Sequence, residues 1–353
     1  MNILRAFIPW LLSGCLCIAF ALFGILAVNL SVQINEQVKA KDTVNMSEFL
    51  PLDPISQRLV ATLSMVPNQV SEVQLVASMI ENHEDARKFQ KGLSSAVVVF
   101  ELIVEGDISR FLAIFRADRL PDKIEPIRSL RTHFVSIALG YKPLLLHVGG
   151  HHLAYESLEA HPELKHHDGI RYDGETFERD PNGEPPHNLV MRKAPLLSVI
   201  EEMKIPERKL PLFEPGHGTS DLPTGQAGIR YENAKKIDVS FGNPIHNVKY
   251  TYKPLVGNYI RSTGGARKQA TPKNILILET EIAGLGQPSY IPWTKTFGDG
   301  RALLFSKGKI IEGRWAREKG ERFVITDDKG NNLPIARGQV WVMMLESLSR
   351  VSW

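Results

Sequence analysis

Hydrophobic positions fall into three regimes along the chain. Residues 6–30, "AFIPWLLSGCLCIAFALFGILAVNL", carry no charge in 25 positions, and about 20 apolar residues at 1.5 Å rise span the roughly 30 Å core of a bilayer. The run predicts a transmembrane helix, with Pro9 in the first turn, where a missing N–H costs little, and Trp10 near an interface. "SVQINEQVKAKDTVNMSEF" then lacks a sustained apolar period and reads as a tether over residues 31–50. From residue 51 the pattern is that of a folded chain. "EVQLVASMI" (72–80), "AVVVFELIV" (96–104) and "SRFLAIF" (109–115) are β-branched runs that predict strands, the last two joined as a hairpin across "EGDI". "SLRTHFVSIALG" (129–140) places Phe134, Ile137 and Ala138 at helical spacing, with Ser129 as N-cap and Gly140 as the stop. "LLLHVGG" (144–150) reads as a buried strand ending in two glycines, and "LAYESLEAH" as the helix after it. Strands and helices in alternation predict a mixed α/β layer.

Pro206, Pro211, Pro215 and Pro223, with Gly216, Gly218 and Gly225, mark a connection and not an element. Beyond it, "IDVSFG", "VKYTYKPL", "KNILILETEI", "RALLFSKGKIIEGRW", "RFVITDDKGNNLPI" and "QVWVMMLE" read as strands, with "SKGKI" and "DDKGNN" as hairpin turns. The expected organisation is an α/β N-terminal domain over 51–212, a linker over 213–228 and a smaller β-rich domain over 229–353, a mixed α+β chain overall.

Composition narrows the function classes. A formal charge of +3 over 353 residues lacks the concentrated basic face of a nucleic-acid binder, so any anion site must be local. Cys15 and Cys17 both lie in the apolar run, which leaves the folded part without disulfides or thiolate metal sites. Arg5 and the amino terminus, set against Lys39 and Lys41 offset by Glu36 and Asp42, favour residues 1–5 as the cytoplasmic end. "LSGC" resembles a lipoprotein cleavage box, so lipid attachment at Cys15 is the alternative to a retained helix. The residues after Cys15 stay apolar to Leu30, which favours the helix.

Candidate chemistry gathers around arginine and histidine. Arg128 and Arg131, three apart in "PIRSLR", would share a face at a helix N-terminus if the helix starts near Pro126, or point the same way with Arg128 just outside it if it starts at Ser129, and that end already favours an anion. Glu101, Glu105, Asp107 and Glu125 are the internal alternatives to that anion. Arg110, on the same strand face as Leu112 and Ile114, would be partly buried and need a carboxylate or an external anion, with Glu101 and Glu105 within reach in the hairpin. Seven of the eleven histidines lie between His147 and His187. "HVGGHH" offers His147, Gly149 and Gly150 at a strand end, while the prolines of "PPHNLV" hold His187 and Asn188 in a fixed orientation. Asn82 and His83 follow the strand ending at Ile80, so "SMIENHEDAR" and "LLLHVGGHH" would line one crevice with "PIRSLR" over it. No metal spacing such as HExxH, no Gly-rich phosphate loop and no G-x-S-x-G occurs, so no metal or cofactor is expected. Tyr250, Tyr252, Tyr259 and Arg261 form a second candidate surface, for a glycan or peptide, although packing within the protein would explain them equally well.

Read together, "ENHEDARKFQKGLSSAVVVFELIVEGDISRFLAIF", "IEPIRSLRTHFVSIAL", "LLLHVGG", "FERD", "PHNL", "YTYKPLVGNYIR", "RALLFSKGKIIEGRW" and "GQVWV" resemble the YerB-like family of bacterial envelope proteins. Arg179 of "FERD" joins the candidates through that resemblance. It implies two linked domains outside the cytoplasmic membrane and no particular activity. "GGARKQATPKN" (264–274) departs from the family pattern by lacking a His and an Asp. The order of arginine-bearing segments is also loosely similar to the LytR-CpsA-Psr phosphotransferases, although "PIRSLR" lacks the Asp that follows their arginine. The expectation is a single-pass envelope protein that binds a phosphate-bearing or glycan ligand or an envelope protein partner, and not nucleic acid. The alternatives are a phosphotransferase-like enzyme and a purely structural interaction module.

Overall fold

The computed structural model describes residues 72–209, 232–264, 266–286 and 290–353. The apolar run 6–30, its flanks 1–5 and 31–50, and the linker 213–228 lie outside the described residues. No helix among the described residues is long and apolar enough to cross a membrane.

The N-terminal half contributes strands β1 (Glu72–Ile80), β2 (Val98–Ile103), β3 (Ser109–Arg116), β4 (Leu144–His147) and β5 (His166–Asp168). Its helices are α1 (Thr132–Tyr141), α2 (His152–Glu159) and α3 (Lys193–Glu202). The C-terminal half contributes β6 (Lys236–Val239), β7 (Val248–Lys253), β8 (Asn258–Thr263), β9 (Ala266–Ala270), β10 (Asn274–Glu279), β11 (Gly298–Ser306), β12 (Lys309–Arg317), β13 (Val340–Leu345) and β14 (Val351–Ser352). Few helices on mixed sheets make this an α+β fold, as the pattern indicated.

The halves join through their sheets. A twelve-stranded sheet runs from the short edge strand Glu232–Asn233 through β12-β11-β10-β13-β2-β3-β1-β4-β5 along its main path. At its centre β13 lies parallel to β2, in register from Val98↔Val340 to Glu101↔Met343. Strands β2 and β13 are buried on both faces, so both read as continuous apolar runs with no alternation. One face of this sheet packs on a five-stranded sheet, β9-β8-β7-β6-β14, through Phe111, Trp341, Met343, Tyr250 and Tyr259. The other face packs on α1 and α2 through Phe100, Leu112, Phe134, Ile137 and Leu158.

Two local expectations meet different fates. The "SKGKI" turn is a two-residue hairpin between Ser306 and Lys309, with Lys307 at φ 50° and Gly308 at φ 74°, as a primed turn requires. Gly140, by contrast, does not stop α1. The helix runs on to Tyr141 and ends where Lys142 turns left-handed at φ 46°. Gly140 is there for space, since a Cβ would stand 2.2 Å from the Glu321 carbonyl oxygen.

Candidate functional site

Strands β1 and β4 pair in parallel only from Val76↔Leu144 to Ser78↔Leu146, and then splay. The chain from Ile127 to Arg131 enters the split. Arg128 N–H donates to the Met79 carbonyl at 3.0 Å, and Val148 N–H to the Arg128 carbonyl at 3.2 Å. Leu130 N–H donates to the Gly149 carbonyl at 3.0 Å, and His151 N–H to the Leu130 carbonyl at 3.2 Å. The three segments expected around one crevice do meet here. "PIRSLR" fills the gap as extended chain, though, because the backbone groups of two parting strands need partners that an overlying helix would not supply. Helix α1 begins only at Thr132, with Arg131 as its cap residue, so Arg128 and Arg131 do not share a helical face.

The arginines have separate partners. Arg131 donates from Nε to Glu105 Oε2 at 2.9 Å, an internal pairing the sequence allows, and from Nη1 to the Leu130 carbonyl at 2.7 Å. Arg128 Nε lies 3.0 Å from Glu81 Oε1, a carboxylate the sequence pattern had not singled out. The other oxygen of Glu81 takes His187 Nδ1 at 2.7 Å. Glu81 is buried while both partners reach the surface, so the triad is the point where a buried charge meets solvent. Arg110 is buried behind it and donates from Nη1 to the Ser129 carbonyl at 2.8 Å. Among the described residues no carboxylate stands within ion-pair distance of Arg110. Burial first, and the neighbouring Arg128 charge second, push its guanidinium down to about 10, with Glu81 pulling the other way. It remains a cation at neutral pH.

Glu101, expected to serve Arg110, faces elsewhere. On β2 it pairs with Arg261 of β8 at 2.5 Å, both side chains fully buried. Trp341 Nε1 donates to its second oxygen at 2.7 Å, and Ser109 Oγ to its first at 2.8 Å. Asn82 extends the network, donating to Ser109 Oγ at 2.7 Å and accepting from Gln269 at 2.8 Å. The Arg261 guanidinium lies 4.8 Å from the centre of the Trp341 ring and 5.3 Å from that of Phe111. At its edge Arg87 Nη2 meets His246 Nδ1 at 3.0 Å, and burial, reinforced by the Arg87 charge, lowers His246 to about 4. Tyr250 and Tyr259 are buried beside this network, and Tyr252 packs half-buried on Tyr259. The second candidate surface is therefore interior: Tyr250, Tyr259 and Arg261 weld the two sheets and offer no face to a glycan.

The histidines divide in the same way. His147 is fully buried. Its Nδ1 lies 2.8 Å from the Gly149 carbonyl, which can only accept, so Nδ1 carries the proton and Nε2 accepts from His166 Nδ1 at 3.0 Å. No nitrogen of His147 is left for a ligand. Gly149, left-handed at φ 63°, donates its N–H to Asp168 at 2.8 Å, and Gly150 bridges to Leu130, so both glycines shape the turn. Asn188 donates to the Asp180 and Gly183 carbonyls, and Arg179 binds Asp173 and Asn188 Oδ1, which together brace the loop carrying His187. His83 caps the 3-10 turn Glu84–Phe89, accepting from Asp85 N–H at 3.4 Å. Its ring stacks on His187, with centroids 5.5 Å apart and planes 20° from parallel. The open cluster is therefore Glu81, His83, Asp85, Arg128 and His187, with Arg110 behind. Its local signal was "ENHED" at a strand end; its pairing with a loop more than a hundred residues away had none.

A cavity of about 520 Å³ lies elsewhere, between α1, α2 and the segments around Trp293 and Lys319. Phe297 and Trp293 line it, and the buried His133 Nε2 and Thr294 Oγ1 on its wall have no hydrogen-bond partner. Of the histidines clustered between His147 and His187, His161 lines it, but none of the candidate ligand-binding residues does.

Comparison with known proteins places this fold. Residues 62–206 match the family described as "Protein of unknown function (DUF3048) N-terminal domain", and residues 237–342 match its C-terminal domain. The chain is 30% identical over 293 residues to the Bacillus subtilis protein named "Putative lipoprotein YerB", covering 80% of this chain and 85% of that one. It also superposes on the crystal structure of YerB protein from Bacillus subtilis with a TM-score of 0.68 at 29% identity, covering 81% of this chain and 95% of the other. Matches to both domain families, with the halves joined in one sheet as described, identify the chain as a member of the YerB-like DUF3048 family.

Proposed function

We propose that the chain is a bacterial envelope protein, held at the cytoplasmic membrane by residues 6–30, that works by binding a ligand or partner at the open cluster around Glu81. The lipoprotein name carried by its relative and the uncharged N-terminal run support the location. The observation that carries the binding reading is the contrast in partners: Glu81 is shared between Arg128 and His187 at the surface, and Arg110 behind them has no carboxylate of its own among the described residues. Arg110, Arg128 and His187 thus share the single carboxylate of Glu81, and an acidic group arriving beside the exposed edge of Arg128 would offset the remaining positive charge, which favours a phosphate-bearing ligand. With Arg131 engaged by Glu105, nothing in the cluster favours phosphoryl transfer over simple binding.

The test is the melting temperature of the full chain in detergent with phosphate, pyrophosphate, a short polyprenyl phosphate or a neutral glycan. A ligand at about 100 times its Kd adds about 2.7 kcal/mol. A shift with the phosphate-bearing compounds, lost in Arg128→Ala, is the expected result; no shift with any of them overturns the reading. The cavity lined by Trp293 and Phe297 favours a second reading, a neutral glycan stacked on those rings. That reading requires a glycan shift lost in Trp293→Ala and kept in Arg128→Ala.

A further inference from the structure

One ligand atom from each of His83, Asp85 and His187 lies within 4.8 Å of the other two. The donors are prepared individually. His187 has Glu81 on Nδ1 at 2.7 Å, which holds the proton there and leaves Nε2 as a lone-pair donor. His83 accepts at Nδ1 only a long 3.4 Å hydrogen bond from the exposed Asp85 N–H, which an ion would displace; with its proton on Nε2, facing Glu84 Oε2 at 3.6 Å, Nδ1 is the ligand atom. His187 therefore has a hydrogen-bonded carboxylate behind it, the arrangement that orients histidines bound to metal and raises their basicity, while Glu84 stands near His83 without bonding it. His83 Nδ1 and Asp85 Oδ2 are already 3.5 Å apart, close to the separation of about 3.4 Å between two donors on one tetrahedral ion with bonds of about 2.1 Å. Asp85 is exposed and His83 half-exposed, so rotation of those two side chains can bring the remaining donor distances in.

We infer that His83, Asp85 and His187 form a site for a divalent transition ion of the zinc class, with an open coordination position. Two imidazoles and one carboxylate suit zinc-like ions and not the all-oxygen preference of magnesium or calcium. Three protein donors leave a fourth position to water or to an acidic group of a ligand. The inference rests on the reading that this cluster binds a ligand, and names an ion as part of what it holds. Chain spacing does not reveal the site, because two ligands follow β1 and the third sits over a hundred residues later.

The experiment uses the full chain in detergent, stripped with chelator and titrated calorimetrically with Zn²⁺ alone, with Co²⁺ absorption as a second readout. The expected result is one equivalent of Zn²⁺ per chain and the visible bands of four-coordinate Co²⁺. Affinity should fall at least about tenfold in His83→Ala, His187→Ala and Asp85→Asn, and about tenfold in Glu81→Gln. Asp85 is exposed, so Asp85→Asn reports on binding even if a histidine variant folds poorly. His152→Ala, on α2 outside the cluster, should bind as the parent does. Absence of Zn²⁺ binding, or equal binding by the His83→Ala/His187→Ala double variant, overturns the inference. If Zn²⁺ fails while phosphate still raises the melting temperature through Arg128, only the ion falls; if both fail, the binding reading falls with it.

Discussion

Glu81 and Glu101 are both buried carboxylates at the ends or middles of central strands, and both pair with arginine, yet they belong to different kinds of structure. Glu101 is sealed: Arg261, Trp341 and Ser109 satisfy both oxygens, and the partners come from both halves of the chain. Glu81 is open: its partners Arg128 and His187 reach solvent, and its neighbour His83 does too. A sealed ion pair is costly to desolvate and costlier to break, so its use is to fix which surfaces meet. An open pair keeps its charges available, which is what a binding site requires. The difference between the two lies in access to water.

The largest effect is expected at the sealed pair. Glu101→Ala leaves the fully buried Arg261 without its counter-charge and should cost about 3–5 kcal/mol in denaturant unfolding. A Glu101→Leu/Arg261→Met double variant should recover most of that loss, because it removes both charges together. Equal losses in single and double variants would mean that packing, and not charge, makes this junction.

Next comes acid. His246 in the sealed region is held neutral, lowered from 6.5 to about 4 by burial and then by Arg87, and burial also lowers His167 to about 4. Between those values the unfolded chain binds protons that the folded chain does not, so stability is fully present above about pH 6.5 and drains away as pH falls toward 4. For His246 the full loss is on the order of 3 kcal/mol. Unfolding followed across that window should steepen with acid, and His246→Gln should flatten the curve by about one proton. A curve unchanged by that substitution would place the acid sensitivity elsewhere.

How far the sequence reveals this contrast follows from the range of the interactions. The β2–β3 hairpin and the Lys307–Gly308 turn are written in neighbouring residues and could be read directly. The β2–β13 pairing links residues some 240 positions apart, and a parallel strand buried on both faces shows no alternation to assign its neighbour. Glu101 is visible as a carboxylate in an apolar run, but its partner Arg261 lies 160 residues away, and local spacing points to the nearby Arg110. Gly140 resembled a helix stop because close approach to the Glu321 carbonyl, a tertiary fact, leaves the same residue. The family resemblance succeeded where local patterns did not, since motifs spread over both halves carry the long-range arrangement implicitly.

The smaller effects fall in order of water access. Three arginine–carboxylate pairs have similar distances: Arg261–Glu101 at 2.5 Å, Arg128–Glu81 at 3.0 Å and Arg314–Asp299 at 2.7 Å. Their side-chain exposures are 0% and 0%, 23% and 4%, and 52% and 68%, in the same order. If distance governed the energy, the three arginine-to-alanine variants would lose similar amounts. If water access governs it, Arg128→Ala should cost about 1 kcal/mol, since His187 and solvent can still serve Glu81, and Arg314→Ala less than about 0.5 kcal/mol. Raising the salt concentration should weaken the Arg314 pair most and leave the Arg261 pair nearly untouched, because screening acts where ions can approach. Unfolding midpoints of the three variants at low and high salt would give either that ordered series or a flat one, and a flat series would remove the basis for treating Glu81 as the open member of the pair.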